Sequence, residues 1–318
     1  MRSKPVKLTT VCLIIVLALS LLASCMTTME SESQGTIQIT DQLGRTVTLE
    51  TVPQRIVSLA PSNTEIIFAL GLGDRLVGIT EYCNYPPEAA EKPSIGGFST
   101  PNIEEVVALA PDLILATSIH ESEIIPQLES QGLTVVALAP KTFDDVLDSI
   151  ALAGKVTGKE EKATELLMEM QNRIKMITDK TINLPEKEVL RVFYLTWHDP
   201  LMTSGGDTLI NELIKMAGGI NIFSEVSGAE TVDLEVLITR NPQVMIAGTG
   251  MGSGEEQGLQ FLETESRLQD TEAIQNGRIY GVHQDLTGRA GTRIVDGLEQ
   301  FARCIHPEIF GEPDGNRE

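Results

Sequence analysis

Positive charge is scarce in this chain: 24 Lys and Arg stand against 45 Asp and Glu, for a formal net charge of -21. So acidic a surface argues against nucleic acid and anionic headgroups as partners and favours solubility, with attraction to a basic surface. Long apolar runs are missing after residue 22, so no later segment is suited to span a membrane. Of four cysteines, neither Cys83 nor Cys304 shows the spacing of a zinc site. Those two sit in different halves of the chain, where they could pair or stay as buried thiols. Catalytic signatures are missing as well. Gly71-Leu72-Gly73 and the run Gly248 to Gly254 lack the Gly-Lys-Ser/Thr ending of a phosphate loop, and no nucleophile elbow or zinc-protease motif occurs. These glycines read better as a helix stop and a loop, and nothing in the chain asks for an enzyme.

What is present begins with a signal for export. Arg2, Lys4 and Lys7 precede an apolar run from Val11 to Leu22, too short for an ordinary spanning helix. The run ends in Leu22-Ala23-Ser24-Cys25, which resembles the bacterial lipobox, where cleavage before the Cys is followed by acylation of its sulfur. Residues 1–24 are the expected lipoprotein signal peptide, Cys25 the lipidation site, and 25–35, rich in Ser, Thr and Glu, a tether. Loss of residues 1–24, with three basic and no acidic side chains, would take the charge from -21 to -24. The expected location is exported and lipid-anchored at the cell membrane, on its periplasmic or extracellular face.

The remainder contains one unit twice. Thr64-Glu65-Ile66-Ile67-Phe68-Ala69-Leu70-Gly71 finds its counterpart in Asn211-Glu212-Leu213-Ile214-Lys215-Met216-Ala217-Gly218, so that each Glu is expected to open a helix. The stretch Asn102-Ile103-Glu104 through Pro111 to Ala116 likewise matches Asp233-Leu234-Glu235 through Pro242 to Ala247. Each reads as a capped helix, a Pro stop and a buried strand. A hairpin is predicted over Ile37 to Leu49. Strands are predicted at Arg55–Ala60, Leu76–Thr80, Leu113–Ala116 and Thr134–Leu138, then at Leu190–Leu195, Val244–Ala247 and Arg278–Val282. Helical segments between them give the rhythm of a mainly parallel sheet. From Lys159 to Lys180 the apolar spacing predicts one long helix without Gly or Pro. The expected fold class is α/β, with an N-terminal lobe over 36–157, a bridging helix over 158–181 and a C-terminal lobe over 182–318. The last helix is expected over Thr292–Cys304.

Arg55-Ile56-Val57-Ser58-Leu59-Ala60-Pro61-Ser62-Asn63-Thr64-Glu65, Asn84-Tyr85-Pro86-Pro87-Glu88, Gly96-Gly97-Phe98-Ser99 and Arg293-Ile294-Val295-Asp296-Gly297-Leu298-Glu299 resemble the helical-backbone substrate-binding proteins of bacterial ABC importers. The resemblance covers essentially the whole chain after the tether and is closest to the cobalamin-binding branch. It implies two Rossmann-like lobes with mainly parallel sheets joined by a single long helix, and a shallow, rigid cleft between them. It further implies a monomer without a cofactor of its own, delivering a corrinoid ligand such as cobalamin to a permease dimer with its ATPase. On each lobe a Glu would meet an Arg pocket of the permease, and Glu65 and Glu212 are the expected docking pair. Either could instead be only a favourable residue near a helix N-terminus.

From Glu65 to Pro111 the first unit advances by 46 residues, whereas from Glu212 to Pro242 the second advances by 30. The 16-residue excess holds Tyr82, Tyr85 and Phe98, in a chain with 4% aromatics. Together with Trp197, the only Trp, and His198 they are the expected ligand-binding residues, flat apolar groups suited to a large planar ligand. Phe98 stands where the family commonly has an indole. Arg289 and Arg293 are expected near the cleft. His120, His198 and His283 each follow a predicted strand, which leaves open zinc or another divalent metal, and His198 could serve as an axial ligand to haem iron. A ferric siderophore is a further alternative, as is an enzyme using the same cleft.

Overall fold

A computed structural model describes residues 36–250 and 256–313; the expected signal peptide, Cys25, the tether and residues 251–255 of the Gly-rich run lie outside the described residues. From Thr36 onward the chain forms one compact unit. It opens with the antiparallel hairpin of β1 (Ile37–Thr40) and β2 (Thr46–Leu49), whose alternation turns Ile39, Val47 and Leu49 inward.

The first lobe follows as β3 (Ile56–Ser58), α1 (Pro61–Ala69), β4 (Leu76–Ile79), α2 (Ile103–Ala108), β5 (Leu113–Ala116), α3 (Ile124–Ser130), β6 (Val135–Ala137) and α4 (Phe143–Thr157). Its strands form an all-parallel sheet in the order β4-β3-β5-β6. Helices cover both faces of such a sheet, so β3, β5 and β6 are buried at every residue and read as unbroken apolar runs. After α5 (Glu160–Thr181) the second lobe contains β7 (Leu190–His198), β8 (Leu201–Ser204), α6 (Leu209–Met216), β9 (Gly219–Asn221), β10 (Ala229–Thr231), α7 (Leu234–Arg240) and β11 (Val244–Thr249). It ends with α8 (Gln257–Thr264), α9 (Glu272–Gln275), β12 (Ile279–His283), α10 (Gln284–Thr287), α11 (Ile294–Ile305) and α12 (Pro307–Phe310). Here the parallel strands run β9-β7-β11-β12, the same order as in the first lobe, and β8 and β10 add an antiparallel edge. These two strands are not among the predicted ones: β10 is exposed throughout and carries no apolar run, and β8 has only Leu201 and Met202 ahead of the buried polar Thr203 and Ser204.

The repeat extends to individual hydrogen bonds. The Arg55 side chain donates to Leu109 O and Ala110 O, and its backbone N–H to the side chain of Asp112. Arg191 repeats this with Asn241 O and the side chain of Gln243. Ala110 and Asn241, just before the paired prolines, both adopt φ 45°, and Gly71 and Gly218 end α1 and α6 with φ 73° and 83°. Asn102 caps α2 by accepting from Glu104 N, as Asp233 caps α7 by accepting from Glu235 N.

Helix α5 is a strut lying on the last main helix of each lobe. Ala163, Met170 and Ile177 recur every seven residues along its buried side. Ala163 packs so closely on Gly154 of α4 that a Cβ there would stand 2.4 Å from it. Further along, Arg173 donates to Asp296 at 2.5 Å and Glu299 at 2.8 Å on α11.

Two clasps cross directly between the lobes, and they use the repeated glutamates. Glu65, 1% exposed, accepts from Arg293 through both oxygens at 2.6 and 2.9 Å and from Arg289 at 3.1 Å. Glu212 reaches the other way and accepts from Phe143 N, the first residue of α4, at 2.5 Å. Each carboxylate thus meets the start of the other lobe's α4 or α11, since Arg293 is the N-cap of α11. Two sequence expectations are corrected here. Glu65 does not open its helix, which begins four residues earlier at Pro61, and it does not stand at the lobe surface.

A carboxylate withdrawn from water needs its partners, and leaving one side of such a pair alone costs about 3–5 kcal/mol. Glu65→Ala should therefore lower the unfolding free energy by about 3 kcal/mol in urea titrations. Lys175→Ala, which breaks an exposed pair with Asp179, should cost under about 0.5 kcal/mol. Equal effects would show that the inter-lobe pair is no more than a surface contact.

Candidate functional site

The carboxyl ends of both sheets carry the expected site residues, in two clusters. On the first lobe, β4 runs into a loop where Thr80 O accepts from Cys83 N and Gly96 O accepts from Glu81 N. Gly96 has φ 90°, a conformation that favours glycine, and its turn brings the Phe98 segment back beside this loop. Tyr82 is 60% exposed at the loop tip. The Tyr85 ring lies over the Arg293 guanidinium, 3.9 Å from its carbon. Phe98 is half-buried, edge-on to His120 with ring centres 5.5 Å apart.

On the second lobe, Trp197 and His198 end β7 itself and do not lie in a loop. The indole N–H donates to Asp199 O at 2.7 Å, which leaves Trp197 42% exposed. His198 stands 5.2 Å from the Trp197 ring and 6.2 Å from Phe261 of α8. No partner for the His198 nitrogens occurs among the described residues. Phe261 is an addition to the sequence reading. Its segment carries no strand-end signal, and only the packing of α8 against β7 and β11 brings the ring there.

None of Tyr82, Tyr85, Phe98 and Trp197 is consumed by a hydrophobic core. They are not all alike in position, however. Tyr85 lines a cavity of about 800 Å³ at the lobe junction, shared with Leu166, Met170 and Arg173 of the strut, which Tyr82, Phe98, Trp197 and His198 do not line. The loop 82–85 is also gripped from the second lobe, where Arg289 donates to Asn84 Oδ1 at 2.7 Å and Tyr82 O at 3.2 Å.

The three-histidine metal reading is corrected. His120 is fully buried; its Nε2–H donates to Phe98 O at 2.7 Å and its Nδ1 accepts from Thr117 N at 3.1 Å, so neither nitrogen can bind a metal. His283 accepts from Asp285 N through Nδ1 and caps α10. Among the described residues no group of three or more His, Cys, Asp or Glu is placed to hold a metal ion. Cys83 and Cys304 are free and buried. Cys83 touches the hydroxyls of Thr64 and Thr80, and burial pushes the Cys304 thiol up to about 12.

Burial also holds the His120 pKa below 6.5, against the opposing effect of its backbone contacts at Phe98 and Thr117. The folded state therefore binds fewer protons than the unfolded state in the window below pH 6.5, so this contribution to stability is present above pH 6.5 and is lost on acidification. The urea midpoint should fall between pH 7.5 and 5.5, with a smaller fall in His120→Gln. An equal fall in both proteins would assign the pH dependence to other groups.

Comparison with known proteins agrees with this architecture. The model of a periplasmic binding protein family matches residues 56–286. The chain is 33% identical over 284 residues to the Uncharacterized ABC transporter substrate-binding lipoprotein YvrC of Bacillus subtilis, covering 87% of each chain. Among solved structures, the periplasmic vitamin B12 binding protein BtuF of Vibrio cholerae superposes with TM-score 0.69 at 27% identity, over 80% of this chain and 97% of that one. The periplasmic heme-binding protein RhuT of Roseiflexus gives TM-score 0.71 at 25% identity, over 80% and 99%. The matched family is one of substrate-binding transport proteins and not an enzyme class. The chain belongs to the periplasmic binding protein family, of the type that serves ABC importers.

Proposed function

We propose that this protein captures a corrinoid, cobalamin or a close relative, between its lobes and hands it to an ABC-importer permease. The observation that carries the reading is a set of aromatic side chains left out of the cores at the carboxyl ends of both sheets. Tyr82 and Phe98 come from one lobe and Trp197 from the other, with Tyr85 at the junction. Large apolar faces with polar edges suit a broad, planar, uncharged ligand. An anionic ferric chelate would call for basic groups, but Arg289 and Arg293 already hold Glu65. The sequence similarity to YvrC and the structural similarity to BtuF support the reading, and the lipoprotein name of the former supports Cys25 as a lipid anchor. Haem is the second reading, favoured by His198, whose ring nitrogens lack a partner among the described residues, and by the likeness to RhuT.

Docking requires carboxylates free to meet a basic pocket. Glu65 is buried in its ion pair and one oxygen of Glu212 is engaged by α4, so this role passes to another repeated pair. Glu104 and Glu235 occupy equivalent first-turn positions of α2 and α7 and are both exposed, with Val107 and Val236 exposed nearby. Each helix leads into a parallel strand and therefore begins at the carboxyl edge of its sheet, so the two carboxylates crown corresponding edges of the two lobes.

Calorimetric titration of the metal-depleted protein with cobalamin, haem, a ferric siderophore and zinc should give tight binding for cobalamin. Trp197→Ala should weaken it on the order of tenfold or more. Tight binding of haem or zinc with none of cobalamin would reject the ligand. Separately, the double variant Glu104→Ala/Glu235→Ala should abolish uptake while leaving the dissociation constant within about twofold. Undiminished uptake would remove these residues from docking.

A further inference from the structure

We infer that Arg289, with Glu65 as its counterion, is a positioning residue for the ligand loop Tyr82–Tyr85, so that the second lobe sets the geometry of a binding element belonging to the first. The inference rests on the proposed role of that loop in binding.

Arg289 follows α10 and is 14% exposed. It is held in its own lobe by Asp285 at 2.8 Å. Its Nη1 and Nη2 also reach across to the first lobe. One Nη1 serves both Glu65 Oε1 at 3.1 Å and Asn84 Oδ1 at 2.7 Å, while Nη2 reaches Tyr82 O at 3.2 Å. Arg293, which takes both oxygens of Glu65, supports the Tyr85 ring from below with its guanidinium face. Burial works against the charge on Arg293, and the Glu65 carboxylate outweighs this, so its pKa is raised.

One buried carboxylate therefore keeps two guanidinium groups side by side, and their outward donors and faces take hold of Tyr82, Asn84 and Tyr85 in turn. Within the first lobe, the loop is held at Cys83, by Thr80 O on its N–H and by Thr64 and Thr80 at its sulfur. A planar fork suits this arrangement because one side chain must satisfy three acceptors of the first lobe while also holding Asp285 of its own. An ammonium at the same place could keep the charge pairing with Glu65 but could not reach all three.

Hydrogen–deuterium exchange of the ligand-free protein tests the inference whatever the ligand is. In Arg289→Lys and in Asn84→Ala, amides of residues 81–85 should exchange on the order of tenfold faster than in the wild type, with β3 and β5 unchanged. Asn84 is exposed, so its variant alters the loop end of the contact without disturbing a core. Dissociation of cobalamin should accelerate in both variants. Loop exchange at the wild-type rate, or a rise shared equally by β3 and β5, would overturn the positioning role. Faster loop exchange in a protein that does not bind cobalamin would uphold that role and reject only the ligand.

Discussion

A carboxylate buried between two lobes and neutralised by two arginines is the constraint on which the rest of this structure depends. Glu65 has almost no contact with water, so Arg289 and Arg293 must stay within reach of it, and both residues lie just before the first residue of α11. The lobes cannot separate at this point without stranding the charge. A second carboxylate, Glu212, makes the reciprocal contact with the first backbone N–H of α4. The two clasps differ in chemistry and agree in position. One uses guanidinium groups and the other the partial positive charge of a helix start, and each joins a glutamate of one repeat to the last main helix of the other. The strut α5 then lies along both of those helices, through Ala163 on one and Arg173 on the other.

This arrangement suits a protein that receives its ligand in a cleft already formed. Where the walls are fixed beforehand, little ordering of side chains and loops is charged against binding. Under the proposed docking role, the same fixity would present Glu104 and Glu235 to a permease at a set separation. Under the proposed function, selectivity would rest on what the strand ends present, a few rings in a chain otherwise poor in them.

Much of this was legible in the sequence, because the parallel strands are buried on both faces and leave unbroken apolar runs such as Leu113–Ala116. The matching Pro111 and Pro242, and the caps Asn102 and Asp233, marked the repeat for the same local reasons. The antiparallel strands β8 and β10 are not legible: β10 is an exposed edge strand that needs no apolar residues, and β8 has only Leu201 and Met202 before two polar residues that the fold buries. The partners of Glu65 and Glu212 are not legible for a different reason. A glutamate in a helical segment looks the same whether it faces solvent or a distant arginine, and the partners of Glu65 lie more than 220 residues away. His120 likewise gave a strand-end signal, but its two backbone partners were fixed only by the fold of the Phe98 loop.

The most direct measurement is a crystal structure of the protein with cobalamin bound. The account predicts the corrin ring between Tyr82 and Phe98 on one side and Trp197 on the other, with the Glu65 contacts to Arg289 and Arg293 intact. A corrinoid seated elsewhere, or a complex in which those contacts are broken and the lobes have moved apart, would contradict it.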